Sequence, residues 1–261
     1  MTPELLLRHI DEATLWPAGS GLSLGEGYER ALSVRQLRIA RGEQPRGYKV
    51  GFTNRTIWER YGVYAPIWGT VWNTTLSFCE GEGELSLAGT CQPRLEPECV
   101  FGLKAAPPAR ASLDDLLACL EWIAPGFEIV QSHMPDWKFT AADTVADSGL
   151  HARLLVGRKL DVRELPRDAA AFDAQLAAAR ITLSRGGERV DEGRGANVLD
   201  GPLHALAHFV AALRDCPGAT DLRPGDVVTT GTWTDAWPVR RGEPWRADFE
   251  PPLAPLTVRF T

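Results

Sequence analysis

The sequence predicts an α+β fold in which a short helical region precedes a mixed, largely antiparallel sheet. Residues 1–46 carry apolar residues at helical spacing, in LLLRHIDEATL and GYERALSVRQLRIARGE, with Gly and Ser between the two segments. From residue 47 onward, short runs such as YKVGFT, TVWNTTLSF and ECVFGL are separated by Gly, Pro and Asn, as is typical of β structure. We therefore expect a helical region over 1–46 and one larger domain over 47–261.

The second half of the chain alternates predicted helices with predicted strands. A helix is expected in SLDDLLACLEWI, where Ser112 suits the N-cap and Asp114 and Asp115 favour the first turn. Such alternation could form a parallel α/β sheet, but the Gly186-Gly187 pair between ARITLSR and ERVDEG is typical of an antiparallel hairpin. The remaining predicted elements are strands in FEIVQS, ARLLVGRKL, DVVTTGT and LTVRFT, and helices in AAAFDAQLAAAR and PLHALAHFVAALRD.

The composition argues against several classes of partner. The 28 Lys and Arg against 34 Asp and Glu give a net charge of −6, without the basic stretch that nucleic acid or an anionic membrane would require. No segment resembles a signal peptide or reaches transmembrane length, so we expect a cytoplasmic protein. Five cysteines without C-x-x-C spacing predict neither disulfides nor a zinc site. His204 and His208 are four apart but lack an intervening Glu, and we interpret them as packing or hydrogen-bonding residues.

The most informative segment for function is LEPECVFGL, residues 95–103. Glu96 and Glu98 lie two apart in an otherwise apolar run, and in a strand such residues project from the same face. Two carboxylates that close repel each other unless a cation lies between them, and Mg²⁺ or Mn²⁺ takes oxygen ligands of this kind. Glu128, in the apolar run FEIV, could supply a third ligand. The alternative is an edge strand whose polar face carries two solvated glutamates.

These carboxylates occur together with three other motifs in an order that resembles one family. The motifs are GYKVGFTN at 47–54, GRGANVLDGPLHALAHFV at 193–210 and LRPGDVVTTGTWT at 222–234. From about residue 28 to the end, the chain resembles the 2-keto-4-pentenoate hydratase and 4-oxalocrotonate decarboxylase family, a branch of the fumarylacetoacetate hydrolase superfamily. The resemblance implies the mixed β-sandwich roll of that superfamily with a small N-terminal helical region, and residues 47–261 as the catalytic domain.

Two lysines are candidate catalytic residues. Lys49 matches a lysine of the family's active site, where a cation suits three carboxylates and a 2-oxo acid substrate, and it could hold the substrate or carry a proton. A solvent-facing strand lysine is the alternative. Lys138 lies in the polar segment after Glu128 and is a second candidate, with Asp136 as a neighbour that could support it.

Three residues at the end of DVVTTGT are candidates for binding the substrate carboxylate. Gly231 lets the backbone approach a ligand closely, and the hydroxyls of Thr230 and Thr232 flank it. The segment also matches the family's carboxylate-binding region. A plain strand-end turn is the alternative.

The segment IWGTVWNTT, residues 67–75, supplies two more candidates. Trp72, one of nine tryptophans, could contact an apolar or aromatic substrate tail. Asn73 falls where hydratase relatives often carry an acidic residue, and it could orient a water without deprotonating it. A further departure from the family pattern is Pro97, between the two glutamates, which predicts an edge strand or a bulge there.

The function that the resemblance implies is a Mg²⁺- or Mn²⁺-dependent lyase acting on a small 2-oxo or 2-hydroxydienoic acid. Our first prediction is a hydratase that converts a 2-hydroxy-2,4-dienoate to a 4-hydroxy-2-oxo acid, as in aromatic catabolism. The alternatives are a 4-oxalocrotonate-type decarboxylase, a tautomerase or acylpyruvate C–C hydrolase, and an inactive partner subunit. We expect a homo-oligomer that could associate with a related decarboxylase or hydratase.

Overall fold

The computed structural model describes the backbone of residues 1–261 and every side chain except that of Arg60. The α-helices are α1 (Pro3–Glu12), α2 (Leu24–Ala40), α3 (Trp58–Tyr61), α4 (Leu113–Cys119), α5 (Ala141–Ala146), α6 (Ala169–Ala178) and α7 (Pro202–Asp215). The strands are β1 (Pro45–Gly51), β2 (Ile67–Trp72), β3 (Leu76–Phe78), β4 (Glu82–Leu85), β5 (Arg94–Leu103), β6 (Leu120–Val130), β7 (His151–Val156), β8 (Leu160–Asp161), β9 (Arg180–Arg185), β10 (Glu188–Arg194), β11 (Val227–Thr232), β12 (Trp237–Pro238), β13 (Pro244–Phe249) and β14 (Leu256–Phe260).

The first two helices begin at side chains that cap them. Thr2 caps α1, and Ser23 caps α2 in a capping box with Glu26. α2 packs against both α1 and α5, so the N-terminal helices lie on the body of the protein. β1 begins at Pro45, and the division of the chain after residue 46 stays a prediction.

The larger sheet is mixed and strongly curled. Its main strands lie in the order β2-β1-β11-β5-β6-β7-β3. β1 is parallel to β11 and β3 to β7, while the other neighbouring pairs are antiparallel, which confirms the predicted sheet type. Val71 of β2 and Leu154 of β7, far apart in this order, meet in one apolar cluster. We call this cluster the apolar plug; its members are Val71, Val100, Ala124, Leu154, Val156 and Val227.

Strand register decides which side chains enter the space that the curled sheet encloses. Glu96 of β5 lies directly opposite Glu128 of β6, and directly opposed residues share a face. Glu98 and Val100 follow on that face because side chains alternate along a strand. Val100 belongs to the apolar plug, so Glu98 lies in the next layer above it, and Glu96 and Glu128 lie one layer further along β5 and β6.

Lys49 of β1 enters the same enclosed space. Gly47 lies opposite Val71, a member of the apolar plug, and Lys49 is two residues further along β1. It therefore projects from the same face as Val71, beside Glu96, Glu98 and Glu128. We call these three glutamates the carboxylate layer.

Two local predictions are wrong. The helix expected to run to Ile123 ends at Cys119, because the chain from Leu120 onward pairs with β5 and sheet pairing overrides helix propensity. The strand carrying Pro97 is not an edge, since β5 pairs with β11 on one side and β6 on the other. The irregularity lies instead in β11, which bulges between Thr229 and Thr232 opposite β5.

A second sheet has the order β10-β9-β13-β14-β4 and carries the predicted hairpin. Gly186 and Gly187 both have positive φ, 59° and 89°, as a tight antiparallel turn requires. Among the described helices, none combines the length and apolar character that crossing a bilayer needs.

Candidate metal centre

Three glutamates from the two central strands meet on the inner face of the larger sheet. One carboxylate oxygen from each of Glu96, Glu98 and Glu128 lies within 4.8 Å of the other two. Glu98 and Glu128 are fully buried, and Glu96 is half-buried at the edge of a cavity. The structure thus brings together the three residues that the sequence singled out. It places them in the interior and not on a solvated edge strand.

Each of the two buried glutamates has one oxygen held by the protein and one left over. The Gly231 N–H donates to Glu98 Oε2 at an N···O distance of 2.6 Å, and His151 Nδ1 lies 2.9 Å from Glu128 Oε1. Among the described residues, neither Glu98 Oε1 nor Glu128 Oε2 has a hydrogen-bond partner. Buried polar atoms without a hydrogen bond are rare and costly, and of these two only Glu128 Oε2 has an ion pair with a described residue, Lys49, so Glu98 Oε1 in particular indicates a ligand that supplies positive charge.

Lys49 is buried beside the carboxylates, with Nζ 3.4 Å from Glu128 Oε2. Burial alone would lower the pKa of Lys49, but the attraction of the three glutamates outweighs burial and raises that pKa. Three carboxylates and one ammonium together leave two negative charges. A divalent cation would neutralise them, and carboxylate oxygens are the donors that Mg²⁺ and Mn²⁺ prefer. The residues present therefore fit such an ion.

Without a cation, the carboxyl groups of these three glutamates are weaker acids than an ordinary glutamate. Burial raises the pKa of Glu98 well above its usual value, and the neighbouring Glu128 and Glu96 raise it further. Burial raises the pKa of Glu128 to about 8, although Lys49 opposes the rise. Burial also raises the pKa of Glu96, with Lys49 and Arg94 opposing. Metal binding at this site would therefore compete with protons.

A cavity of about 410 Å³ opens beside Glu96 and has an aromatic wall. The rings of Phe52 and Tyr61 stack with centroids 4.9 Å apart, and those of Tyr61 and Phe139 stack at 5.7 Å. Trp137 continues the wall, with its ring centroid 5.9 Å from that of Phe139. This wall offers a flat apolar surface to a substrate whose polar end reaches the glutamates.

The charged residues that line the cavity are of both signs. Arg94 precedes Glu96 by two residues on β5 and shares its face, and its guanidinium lies 4.2 Å from the ring centroid of Trp137. Asp191, Glu192 and Asp235 also line the cavity. The cavity therefore presents one cation next to the carboxylate layer and three further acids among the described lining residues.

The three substrate-binding candidates of β11 take different positions. Thr232 lines the cavity. The Thr230 hydroxyl is buried and donates to a backbone carbonyl of β5 at 3.0 Å, while the Gly231 N–H is used by Glu98. Gly231 has φ +96°, and a Cβ there would lie 1.9 Å from Thr53 Oγ1, so the position requires glycine. Thr230 and Gly231 thus shape the carboxylate layer, and a contact of either with substrate has no support in this geometry.

Two predicted site residues lie away from the cavity. Trp72 points to the opposite side of the sheet because its neighbour Val71 points into the enclosed space, and its ring packs 4.4 Å from the Arg38 guanidinium. Asn73 lies in an exposed turn, where its side-chain oxygen accepts a hydrogen bond from the Gln44 N–H at 2.8 Å. These positions contradict a direct role of Trp72 in holding a substrate tail and of Asn73 in orienting water.

Lys138 is a surface residue. Its side chain is 82% exposed, and its Nζ lies 3.6 Å from Asp136 Oδ2. The neighbours Trp137 and Phe139 both line the cavity, whereas Lys138 does not. The predicted catalytic role of Lys138 is therefore not supported, and Asp136 pairs with it outside the site.

Sequence reasoning missed His151 and Arg94. Arg94 could have been found, since it continues the alternation of Glu98 and Glu96 along one strand. His151 could not, because its orientation depends on a bulge between β6 and β7 that no sequence signal marks.

Comparison with known proteins agrees with the fold and with the family that the sequence resembles. No family model matches the chain. The chain is 31% identical over 244 residues to a 2-hydroxyhexa-2,4-dienoate hydratase of Comamonas testosteroni, covering 92% of this chain and 87% of that protein. It is 33% identical over 197 residues to a 2-keto-4-pentenoate hydratase of Burkholderia vietnamiensis, covering 75% and 70%. A solved 4-oxalocrotonate decarboxylase from Pseudomonas putida G7, complexed with magnesium and adipate, matches with TM-score 0.87 and 23% identity, covering 99% of this chain and 95% of that one.

The fold is the mixed roll that the sequence predicted, since it matches those of a solved fumarylpyruvate hydrolase and of a solved protein described as a fumarylacetoacetate hydrolase family member. The chain belongs to the 2-keto-4-pentenoate hydratase and 4-oxalocrotonate decarboxylase family. The predicted family and the predicted hydro-lyase class are both confirmed.

Proposed function

We propose that this protein is a divalent-metal-dependent hydratase that adds water to a 2-hydroxy-2,4-dienoate and releases a 4-hydroxy-2-oxo acid. The observation that carries the proposal is the cluster of Glu96, Glu98 and Glu128 at the cavity, in which Glu98 Oε1 and Glu128 Oε2 are buried without a hydrogen-bond partner in the described part of the chain. The names of the relatives, which are dienoate and pentenoate hydratases, support the reaction and the substrate class.

Glu96, Glu98 and Glu128 are the proposed ligands of Mg²⁺ or Mn²⁺. When bound, the ion would accept the substrate carboxylate and C2 oxygen and stabilise the negative charge that develops on that oxygen. Gly231 and His151 hold the other oxygens of Glu98 and Glu128, which leaves Glu98 Oε1 and Glu128 Oε2 without a hydrogen bond to any described residue and available to a cation.

Lys49 is the proposed holder of the substrate or carrier of a proton. The dienol first ketonises by gaining a proton at C5 and losing the proton of its C2 hydroxyl, and water then adds across the C3–C4 bond, with oxygen at C4 and a proton at C3. The raised pKa keeps Lys49 protonated beside the glutamates. A protonated lysine can donate a proton to the substrate, whereas it would first have to lose a proton to act as a base. Thr53, Asn197 and Thr232 line the cavity and can hydrogen-bond the attacking water in place of Asn73.

The aromatic wall of the cavity is the proposed binding surface for the substrate tail. Phe52, Tyr61 and Phe139 take the part that the sequence assigned to Trp72. A dienoate with an apolar or aromatic substituent would bury that substituent on the wall, so its kcat/KM should exceed that of unsubstituted 2-hydroxypenta-2,4-dienoate.

The test is the hydration rate of metal-stripped protein before and after Mg²⁺ or Mn²⁺ is added. Loss of dienoate absorbance gives the rate, and mass spectrometry identifies the 4-hydroxy-2-oxo acid. Glu98→Gln should abolish the metal-dependent rate and weaken Mn²⁺ binding in calorimetry, because it removes a charged donor. The matched control is Glu84→Gln, an exposed glutamate on β4, which should change neither quantity. Hydration without metal, or full activity of Glu98→Gln, would overturn the proposal.

A decarboxylase of the 4-oxalocrotonate type is the second candidate, and Arg94 is the observation that favours it. Arg94 lines the cavity and lies two residues before Glu96 on β5. Its guanidinium could pair there with the second carboxylate of a dicarboxylic substrate. The cavity-lining Asp191 and Asp235 would repel that carboxylate. Release of CO₂ from 2-oxohex-3-enedioate, lost in Arg94→Gln and without any dienoate hydration, would put the decarboxylase first.

A C–C hydrolase is not favoured, although a His-Glu pair is present. In the superfamily such a pair activates water, and His151 does lie against Glu128. Its other nitrogen, Nε2, faces Thr75 Oγ1 at 2.8 Å and not the substrate cavity, so it is not available to a substrate water. An inactive partner subunit is disfavoured because all three glutamates are in position.

We also propose, from the sequence, a cytoplasmic homo-oligomer that could associate with a related enzyme. Analytical ultracentrifugation of the purified protein would test the oligomeric state, with a monomer at micromolar concentration as the contrary result.

A further inference from the structure

His151 links the carboxylate layer to a neighbouring turn. It is the first residue of β7, is buried, and lies opposite Val130 of β6. The register between these strands shifts by one residue at this point, because Arg153 lies opposite Ile129. Such a bulge re-aims a side chain, and here it turns His151 toward the face that carries Glu128.

Both ring nitrogens of His151 have a defined partner. Nδ1 lies 2.9 Å from Glu128 Oε1, and Nε2 lies 2.8 Å from Thr75 Oγ1. With a cation bound, Glu128 would be a carboxylate and could only accept, so Nδ1 would carry the proton; Nε2 of a neutral ring would then accept from the Thr75 hydroxyl, whose other acceptor is the Trp72 carbonyl at 3.2 Å. Thr75 Oγ1 in turn accepts from the Trp72 N–H at 3.0 Å, which anchors the threonine to its own turn. The chain of donors therefore runs in one direction, from Thr75 through His151 to Glu128.

The consequence falls on Glu128. Its Oε1 is occupied by His151, so Oε2 is the oxygen that faces Lys49 and remains without a hydrogen-bond partner. The Gly231 N–H likewise occupies one oxygen of Glu98, Oε2. It is a backbone group, so a side-chain substitution cannot remove it. His151 is thus the side chain through which the orientation of a buried glutamate can be tested.

We propose that His151, fixed in its tautomer by Thr75, is a positioning residue that holds Glu128 with one oxygen directed at the bound divalent cation. This inference rests on the proposed function, since it needs the three glutamates to bind metal. A histidine that orients a carboxylate ligand raises metal affinity without touching the metal, and loss of such a group weakens binding on the order of 10- to 100-fold.

The test compares Mn²⁺ binding to metal-stripped wild type, four single variants and the double variant Thr75→Val with His151→Leu by titration calorimetry. His151→Leu removes the donor at similar size and should weaken Mn²⁺ binding on the order of 10- to 100-fold. His151→Asn keeps an N–H near the Nδ1 position and should recover most of that loss. Thr75→Val should weaken binding when His151 is present and add little to His151→Leu, because Thr75 acts through His151. Thr75→Ser keeps the hydroxyl and should resemble wild type.

The control is His204→Leu, which breaks a histidine–carboxylate contact outside the site, His204 Nδ1 to Asp173 Oδ2 at 2.5 Å. It should leave Mn²⁺ affinity unchanged. The unfolding midpoint in EDTA, measured for every variant, separates lost affinity from lost stability. Wild-type Mn²⁺ affinity in a folded His151→Leu protein, with Glu128→Gln still impaired, would overturn the positioning role alone. Wild-type affinity in Glu128→Gln and Glu98→Gln would overturn the proposed function itself.

Discussion

Glu128→Gln should stabilise the metal-free protein at neutral pH, although it removes a proposed ligand. The pKa of the buried Glu128 carboxyl is raised from 4.5 to about 8. Between these two values the folded protein holds a proton that the unfolded chain releases, so stability falls as the pH rises through that window. Each pKa unit corresponds to about 1.4 kcal/mol, which gives a penalty of about 3 kcal/mol at pH 7 and about 1 kcal/mol at pH 5. Glutamine cannot ionise and avoids this penalty.

The assay is urea unfolding of wild type and Glu128→Gln in EDTA at pH 5 and pH 7. The variant should gain about 3 kcal/mol at pH 7 and clearly less at pH 5. With Mn²⁺ at 1,000 times its Kd, wild type should become more stable than the variant, because bound ligand then stabilises wild type by about 4.1 kcal/mol, which exceeds the variant's gain, and the variant binds Mn²⁺ poorly. Glu84→Gln, exposed on β4, should show no pH-dependent difference. A variant less stable than wild type in EDTA at pH 7 would refute the reasoning.

Three further outcomes are expected. Lys49→Met should lower turnover, measured by steady-state kinetics, on the order of 10²-fold or more. The variant should still bind Mn²⁺ in calorimetry. A near-normal kcat would leave Lys49 with a structural role. Gly231→Ala should cost at least about 2 kcal/mol in urea unfolding, because its Cβ would overlap Thr53, whereas Gly225→Ala has positive φ but open space and should cost less. Asn73→Asp should change the hydration rate by less than about two-fold, since the side chain lies outside the cavity; a larger increase would return it to the water site.

The cluster itself could be predicted because it depends on one rule. Glu96 and Glu98 alternate with apolar residues, so any strand through them puts both carboxylates on one face, and Glu128 repeats the pattern. The prediction for Trp72 is wrong because alternation alone does not say which face of β2 points inward. That face depends on the register of β2 with β1, which the sequence does not give. His151 lies beyond prediction, because a single extra residue in β7 decides whether its ring meets Glu128.

The apolar plug has a kinetic consequence. Its six aliphatic side chains fill the enclosed space below Glu98, and Glu96 lines the cavity, so we expect the metal and the substrate to share that cavity as their route. Loading should then be ordered, with the ion entering before the dienoate. A bound substrate would stand between the ion and solvent, and the dissociation rate of Mn²⁺ should fall when a non-reacting 2-oxo acid is present. The protein would in effect retain its metal most firmly during turnover and exchange it mainly between cycles.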